Sequence, residues 1–499
     1  MTKPIEDLRE RKAKRMLGGG EEAVRAQHDK GKKTARERLA LLFDAGSFVE
    51  LELYYADGVV GGYGTVDGRA VYAYAQDYTA ADGAVGARQA DKIVRIQQMA
   101  RQAGVPIVAV LDSGGVKLTE GVQALNGYGR MFYENTLSSG VIPQIAVVLG
   151  PCAGGAVFGP AISDFLLMEK KSAKMFVTGP QVIQAVAGLD ALPEDLGNAE
   201  SHAAKSGAAH IICEGEEAVF AAVKELLGYL PSNNLDFPPA AEVADSVNRL
   251  APELETILPE NERLSYDIYE VIRSIADGGA FLELQGAYAT NIVTAFIRLA
   301  GSSVGVVASR VADKAGVLDI VAAEKAARFV RRCDAFNIPL LTLADVSGFL
   351  PDLAEEEGGI VRHGAKLLYA YCEATVPKVT LVLRKACGGA YAVLGAKASG
   401  TDIVLAWPSA QIGPMDAPAA AAVLYADRLA EAADPIAARA EMEALYKEEY
   451  ASAYVAAAEG LVDDVIEPAQ TRQRLVSAFD LLESKRDSLP AKKHGNIPL

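Results

Sequence analysis

Residues 142–159 read IPQIAVVLGPCAGGAVFG, and residues 376–393 read VPKVTLVLRKACGGAYAV. Each is an apolar run that ends in a Gly-Gly pair and continues in small residues, the pattern of a buried strand turning sharply into a helix. The likeness extends outward. GVPIVAVLDSGG (104–115) answers NIPLLTLADVSGF (337–349), with Pro106 and Pro339 separated by 339 − 106 = 233 positions. Gly68 and Gly301 share that spacing, whereas Pro143 pairs with Pro377 and Gly155 with Gly389 at 234. A slip of one residue over such a distance is what a small loop insertion produces. A long-period repeat of this kind marks a duplicated unit.

Each copy has the same punctuation: an apolar hairpin, an amphipathic helix (92–102 and 323–333), and a short β-branched strand (106–111 and 339–344). A Gly-containing turn and a further helix lead to a second strand (144–149 and 378–383) and its Gly-Gly. Continuous Val/Ile/Leu strands between helices predict an α/β fold whose strands are buried on both faces and joined by right-handed crossovers. The polar, Pro-punctuated stretch 231–253 reads as a linker. The predicted organisation is therefore a first domain over 1–232, a linker over 233–262 and a second domain over 263–499, with a charged helical arm over 4–43.

The chain has 499 residues and a formal net charge of −16. Such a surface repels nucleic acid and anionic membranes, so a phosphate-bearing ligand needs a local basic patch. The densest is in the arm: Lys30, Lys32, Lys33, Arg36 and Arg38. It reads either as a solvated helix face or as a docking site for a nucleotide phosphate. The five cysteines form no CxxC pair, and the five histidines form no HExxH, so neither a zinc site nor a disulfide scaffold is expected. His363 reads as a hydrogen-bonded structural residue. No GxSxG elbow, P-loop or dinucleotide fingerprint occurs. The uncharged run 137–163 is broken by Pro143, Pro151 and Pro160 and reads as strand, turn and helix. The charged N-terminus lacks the apolar core of a signal peptide, and a cytoplasmic protein is expected.

A Gly pair opening a helix leaves backbone N–H groups accessible to an anion, because no Cβ obstructs them. Where the anion develops during a reaction, the same geometry is an oxyanion hole. Close helix–strand packing would explain one such pair; matched pairs at Gly154–Gly155 and Gly388–Gly389–Ala390 favour the chemical reading. Turns at 112–115 and at Ser347–Gly348 are expected to add further donors.

These blocks give the chain a resemblance to the carboxyltransferase β subunits of biotin-dependent propionyl-CoA and acetyl-CoA carboxylases, and to the α subunits of methylmalonyl-CoA decarboxylases. It covers nearly the whole length: TARERLALLFDAGSFVE, GPCAGGAVFGPAISDF, FVTGP, RHGAKLLYAY, EATVPKVT, GGAY, AWPSAQIG and the terminal KKHGNIPL. The resemblance implies two tandem crotonase-like domains of the ClpP/crotonase superfamily, each a ββα superhelix, assembled into a hexamer. It implies that the amides of Gly154 and Gly155 hold a thioester enolate and those of Gly389 and Ala390 the ureido oxygen of biotin. Gly114, Gly115, Ala156, Gly348 and Ala392 would line the substrates, with Lys33 and Arg36 as candidates for the CoA phosphates. No metal is implied. Biotin would arrive on a separate biotin carboxyl carrier protein, alongside a biotin carboxylase or a membrane decarboxylase subunit; Lys174 in Ala173–Lys174–Met175 reads as structural, not as a biotin attachment site.

The sequence departs from the family at several points, including Val116–Lys117–Leu118, Asp82–Gly83–Ala84, Gln89, the stretch 309–312, and Pro414 to Pro418. Ala392 stands where the propionyl-CoA enzymes resemble one another in having Asp, which leaves the acyl group open. Carboxylation, decarboxylation for a sodium pump and a biotin-independent crotonase-type reaction are the readings carried forward.

Overall fold

Strands dominated by Val, Ile, Leu and Ala form the centre of each unit, and both of their faces are covered, as a parallel sheet requires. The computed structural model describes residues 2–188 and 196–498. The chain divides into two units, Met1–Phe237 and Pro238–Leu499.

The first unit holds β1 (Val49–Glu50), β2 (Val59–Val66), β3 (Arg69–Gln76), β4 (Ile107–Ser113), β5 (Gln144–Ala153), β6 (Phe165–Glu169), β7 (Lys174–Phe176) and β8 (Ile211–Cys213). Their order is β1-β2-β3-β4-β5-β6-β8, antiparallel through β3 and parallel beyond it, with β7 on the far half of β5. The second unit holds β9 (Phe281–Leu284), β10 (Ile292–Leu299), β11 (Ser302–Ser309), β12 (Leu340–Val346), β13 (Lys378–Cys387), β14 (Ile403–Ala406), β15 (Gln411–Gly413) and β16 (Asp464–Val465). Its order, β9-β10-β11-β12-β13-β14-β16 with β15 on the far half of β13, repeats the first. The sheets confirm the duplication seen in the sequence.

β5 and β13 run farther than the apolar runs suggested, to Ala153 and Cys387. Beyond Leu149 the strand exchanges β6 for β7, pairing Pro151 with Lys174 and Ala153 with Phe176. Lys174 is thus part of a sheet ladder. Opposite, the pairing with β4 shifts register between Leu111 and Ser113, and that of β13 with β12 shifts between Ala344 and Val346. These matched irregularities splay the strand ends and make room for the turns.

Crossover helices follow the same logic. Ala87–Ala103 buries Ala90, Ile93, Ile96 and Ala100, one stripe at helical spacing, and stops at left-handed Gly104. Its counterpart Ile320–Ala335 begins at Asp319, whose carboxylate accepts the Ala322 amide. Trp407 lies fully buried in the second core, its indole N–H donating to Thr471 Oγ1 at 2.9 Å.

The arm forms three helices, Thr2–Met16, Glu21–Asp29 and Ala35–Leu42; Thr34 and Glu37 close a capping box on the last. The polar stretch 231–253 is irregular, yet its later part is fixed in the second unit: the Ala241 amide donates to Gly301 O, and that of Ala251 to Ala469 O. Among the described residues, no helix is long and apolar enough to cross a membrane.

Candidate functional site

The ends of β4 and β5 lie side by side, Ser113 level with Cys152, so their two Gly turns adjoin. Gly115, at φ +100°, sits where a Cβ would come 3.3 Å from Ala153 O, the residue before Gly154. Gly154 takes φ +66° at the start of a single helical turn, Gly154–Val157, closed by the Phe158 amide donating to Gly155 O. A Cβ at Gly154 or Gly155 would meet nothing within 4 Å. The first amides of a helix have no acceptor within it, and the space where side chains would stand on these two glycines is open.

The second unit repeats the arrangement. Val346 lies level with Ala386, and Gly388 takes φ +63° at the start of the helix Gly388–Val393. Gly389 lies beside the Phe349 ring, which a Cβ there would meet at 3.5 Å, and Ala390 is fully buried. The structure therefore brings Gly115 to Gly154 within the first unit, and Phe349, next to Gly348, to Gly389 within the second. Ala156 is buried behind its turn, whereas Ala392 is exposed and its carbonyl accepts from Ser399 Oγ.

One expectation requires correction. The turn at 112–115 was expected to supply additional donors, but the Gly114 amide donates to Asp82 O at 2.8 Å and that of Gly115 to Ser113 Oγ at 3.0 Å. These amides hold the turn closed. Asp82, left-handed at φ +53°, is the partner that consumes the first of them.

Side-chain chemistry next to the turns is muted. Burial pushes the Cys152 thiol up to about 12 and the Cys387 thiol up to about 11, so both remain protonated and poorly nucleophilic. His363 pairs with Glu324 at 2.8 Å, and Lys366 reaches the same carboxylate at 2.7 Å, which fits its structural reading. No group of His, Cys, Asp or Glu among the described residues could hold a metal ion. A cavity of about 400 Å³ in the second unit is lined by Tyr425, Arg428 and Tyr450 among others, none of them an expected site residue.

The cationic residues of the arm are mostly engaged with acids of the first unit. Arg38 is fully buried; it forks onto Glu216 at 2.6 and 2.9 Å and reaches Asp112 at 2.8 Å. Lys32 reaches Asp112 at 2.7 Å. Burial lowers the Lys32 pKa against the pull of Asp112, while for Arg38 the carboxylates outweigh burial and raise it. Arg36 forks onto Glu50, Lys33 meets the exposed Glu217 at 2.7 Å, and Lys30 lies over the Tyr78 ring. Of the two phosphate candidates, Lys33 has the partner that solvent or a phosphate can more readily replace.

The sequence reading missed the buried acid itself. Asp112 and Asp345 occupy matched places in the repeat, and so do Gly150 and Arg384. In the second unit Arg384 meets Asp345 from the neighbouring strand at 3.0 Å, and Tyr266 donates to the same carboxylate. In the first unit the corresponding strand position is Gly150, where a Cβ would collide with Asp112 Oδ1 and crowd Lys32. Aligning the copies would have paired these residues, although spacing alone could not show what neutralises Asp112.

Comparison with known proteins bears on this arrangement. The family model described as "Carboxyl transferase domain" matches residues 26–497. The chain is 48% identical to the methylmalonyl-CoA decarboxylase subunit alpha of Propionigenium modestum, over 100% of this chain and 99% of that one. It is 50% identical to the propionyl-CoA carboxylase beta chain of Saccharopolyspora erythraea, over 99% and 96% of the two. A solved structure of transcarboxylase 12S, described as a hexamer with hydrolysed methylmalonyl-coenzyme A bound, matches with a TM-score of 0.95 and 47% identity, covering 99% of this chain and 98% of that one.

Proposed function

Because the chain belongs to the carboxyl transferase domain family, we propose that it exchanges a carboxyl group between biotin, borne on a separate carrier, and the α-carbon of a short acyl-CoA. The observation that carries this reading is the duplicated turn, with Gly154 and Gly388 left-handed at matched places, each opening a helical turn whose first amides have no acceptor within it. Removing the α-proton or the carboxyl group of a thioester places negative charge on its oxygen. We assign the Gly154 and Gly155 amides to that oxygen and those of Gly389 and Ala390 to the ureido oxygen of biotin. Preformed amide dipoles require no reorganisation as the charge develops. The open space over Gly155 suits a thioester, and the flat Phe349 ring beside Gly389 suits an uncharged bicyclic ring. Biotin, when bound, supplies the carrier nitrogen for the carboxyl group.

Gly114 and Gly115 act in this scheme as the fixed wall against which the first turn rests, Ala156 as its buried support, and Gly348 and Ala392 as the lining of the second site. Lys33 is the residue we assign to a CoA phosphate; Arg36, forked onto Glu50, is the second candidate. The close match to transcarboxylase 12S, described as a hexamer and a multienzyme core, supports a hexamer; a biotin carboxyl carrier protein as partner and a cytoplasmic location complete the proposal. The similarity to the decarboxylase alpha subunit supports a second reading, the same transfer run in reverse beside a membrane subunit.

The test is transfer of the carboxyl group of methylmalonyl-CoA or malonyl-CoA to free biotin, comparing the native chain with Gly155→Val and Ala390→Pro. Biotin-dependent turnover that both substitutions abolish in folded protein supports the assignment. Turnover indifferent to biotin would replace it with a biotin-independent CoA reaction.

A further inference from the structure

We propose that Arg38 and Lys32, on the N-terminal arm, are positioning residues for the first Gly turn; this rests on the carboxyl-transfer reading of that turn. Asp112 is the last residue before Ser113-Gly114-Gly115. Its side chain is completely buried, and its amide is held as well, donating to Gln76 Oε1 at 3.1 Å. Ser113 Oγ then donates to Gly83 O at 2.7 Å and accepts the Gly115 amide, and Ser113 pairs with Cys152 on β5. The residue after Asp112 is thus tied both to its own Gly turn and to the strand that runs into Gly154 two residues past Cys152. Whatever fixes Asp112 fixes the turn.

A buried carboxylate must be paired with opposite charge or lose its ionisation. Asp112 is met by Lys32 and Arg38, with Gln27 Nε2 adding a bond at 3.3 Å. Arg38 also spans to Glu216, so the cluster holds two cations and two anions and sums to zero. The second unit neutralises its matching acid differently, since its cation, Arg384, lies on the sheet itself, with Tyr266 adding a neutral hydroxyl donor. Glycine at 150 where the second unit has Arg384 makes the difference specific: the first unit lacks the strand cation, and the space is taken by the end of the Lys32 side chain. The arm is therefore a component of one site and has no equivalent role in the other. Lys32 and Arg38 touch none of the turn amides, so they act through Asp112.

The experiment uses the full chain and transfer from methylmalonyl-CoA to free biotin, with Arg38→Ala and Lys32→Met. Arg38→Ala should lower kcat about a hundredfold per folded molecule, the effect of shifting a reacting group by about an ångström, with KM for the CoA ester nearly unchanged. Added methylguanidinium should restore part of the rate by entering the vacated space. Amide hydrogen exchange should quicken across residues 112–157 and slow again with methylguanidinium. An unchanged kcat per folded molecule, or a lost kcat without faster exchange in that segment, would overturn the proposal. If Arg38→Ala does not fold, Lys32→Met decides: it leaves Arg38 bridging Asp112 and Glu216, and unaltered kcat and exchange would be equally fatal. Should the native chain show no biotin-dependent transfer, the carboxyl-transfer reading fails, while the exchange measurement still reports whether these cations hold the turn.

Discussion

Replacing Gly155 by proline deletes one amide hydrogen at the proposed enolate site, and replacing it by alanine does not. The structure makes the pair a clean comparison. Gly155 lies outside the left-handed region, and an added Cβ meets nothing within 4 Å, so the alanine side chain is accommodated. Proline is tolerated in the first turn of a helix because no intrahelical bond is lost there. Its expected cost is therefore catalytic. One oxyanion donor is worth about 3 to 4 kcal/mol, so Gly155→Pro should reduce kcat by roughly two to three powers of ten. Gly155→Ala should stay within about tenfold of the native chain, a barrier change of about 1.4 kcal/mol. The assay is initial-rate carboxyl transfer from methylmalonyl-CoA to free biotin, with thermal unfolding run on each variant. A proline variant that keeps a tenth of native activity would refute the amide-donor reasoning. An alanine variant as inactive as proline would show that open space, and not the N–H, is what the site requires.

On the other turn, Ala390→Pro should abolish transfer to biotin while leaving binding of the CoA ester unaffected, as equilibrium titration with the ester will show. Lys33→Ala should raise KM for the CoA substrate several-fold at constant kcat, the pattern of lost uniform binding, and dephosphorylated CoA esters should not sense the change. Ala392→Asp should alter the ratio of kcat/KM between acetyl- and propionyl-type esters; an unchanged ratio would remove Ala392 from the specificity determinants. At Glu169, burial works against ionisation, but bonds from Ser172, Lys171 and Gly215 outweigh it and hold the carboxyl below its usual 4.5. The depressed folded value means that its stabilising contribution is complete above that pH and is lost as pH falls through the folded pKa. Melting temperatures of Glu169→Gln should accordingly fall less steeply with acid than those of the native chain.

The fold was legible because repetition and strand burial are both written in local patterns. Pro106 and Pro339, or Gly155 and Gly389, keep their spacing whatever the surrounding helices do. The extent of β5 was less legible: Gly150 and Pro151 look like strand breakers, and only the arrival of β7 shows why the ladder continues through them. The turns were visible as Gly-Gly pairs, yet nothing local reveals that Asp82 O already takes the Gly114 amide. The arm shows the limit most clearly. A run of cations looks the same whether it meets solvent, phosphate or a buried Asp112, because the deciding partners lie 74 and 178 positions away from Arg38.

The different sources of counter-charge at Asp112 and Asp345 also bear on how the chain can be divided. One half carries its counter-cation on its own sheet, whereas the other depends on a preceding segment for it. A translation start placed beyond Arg38, or a proteolytic nick within the arm, would disable one half-reaction and spare its partner. Chimaeras between relatives should be spliced accordingly, with the arm travelling alongside the first half and never exchanged on its own.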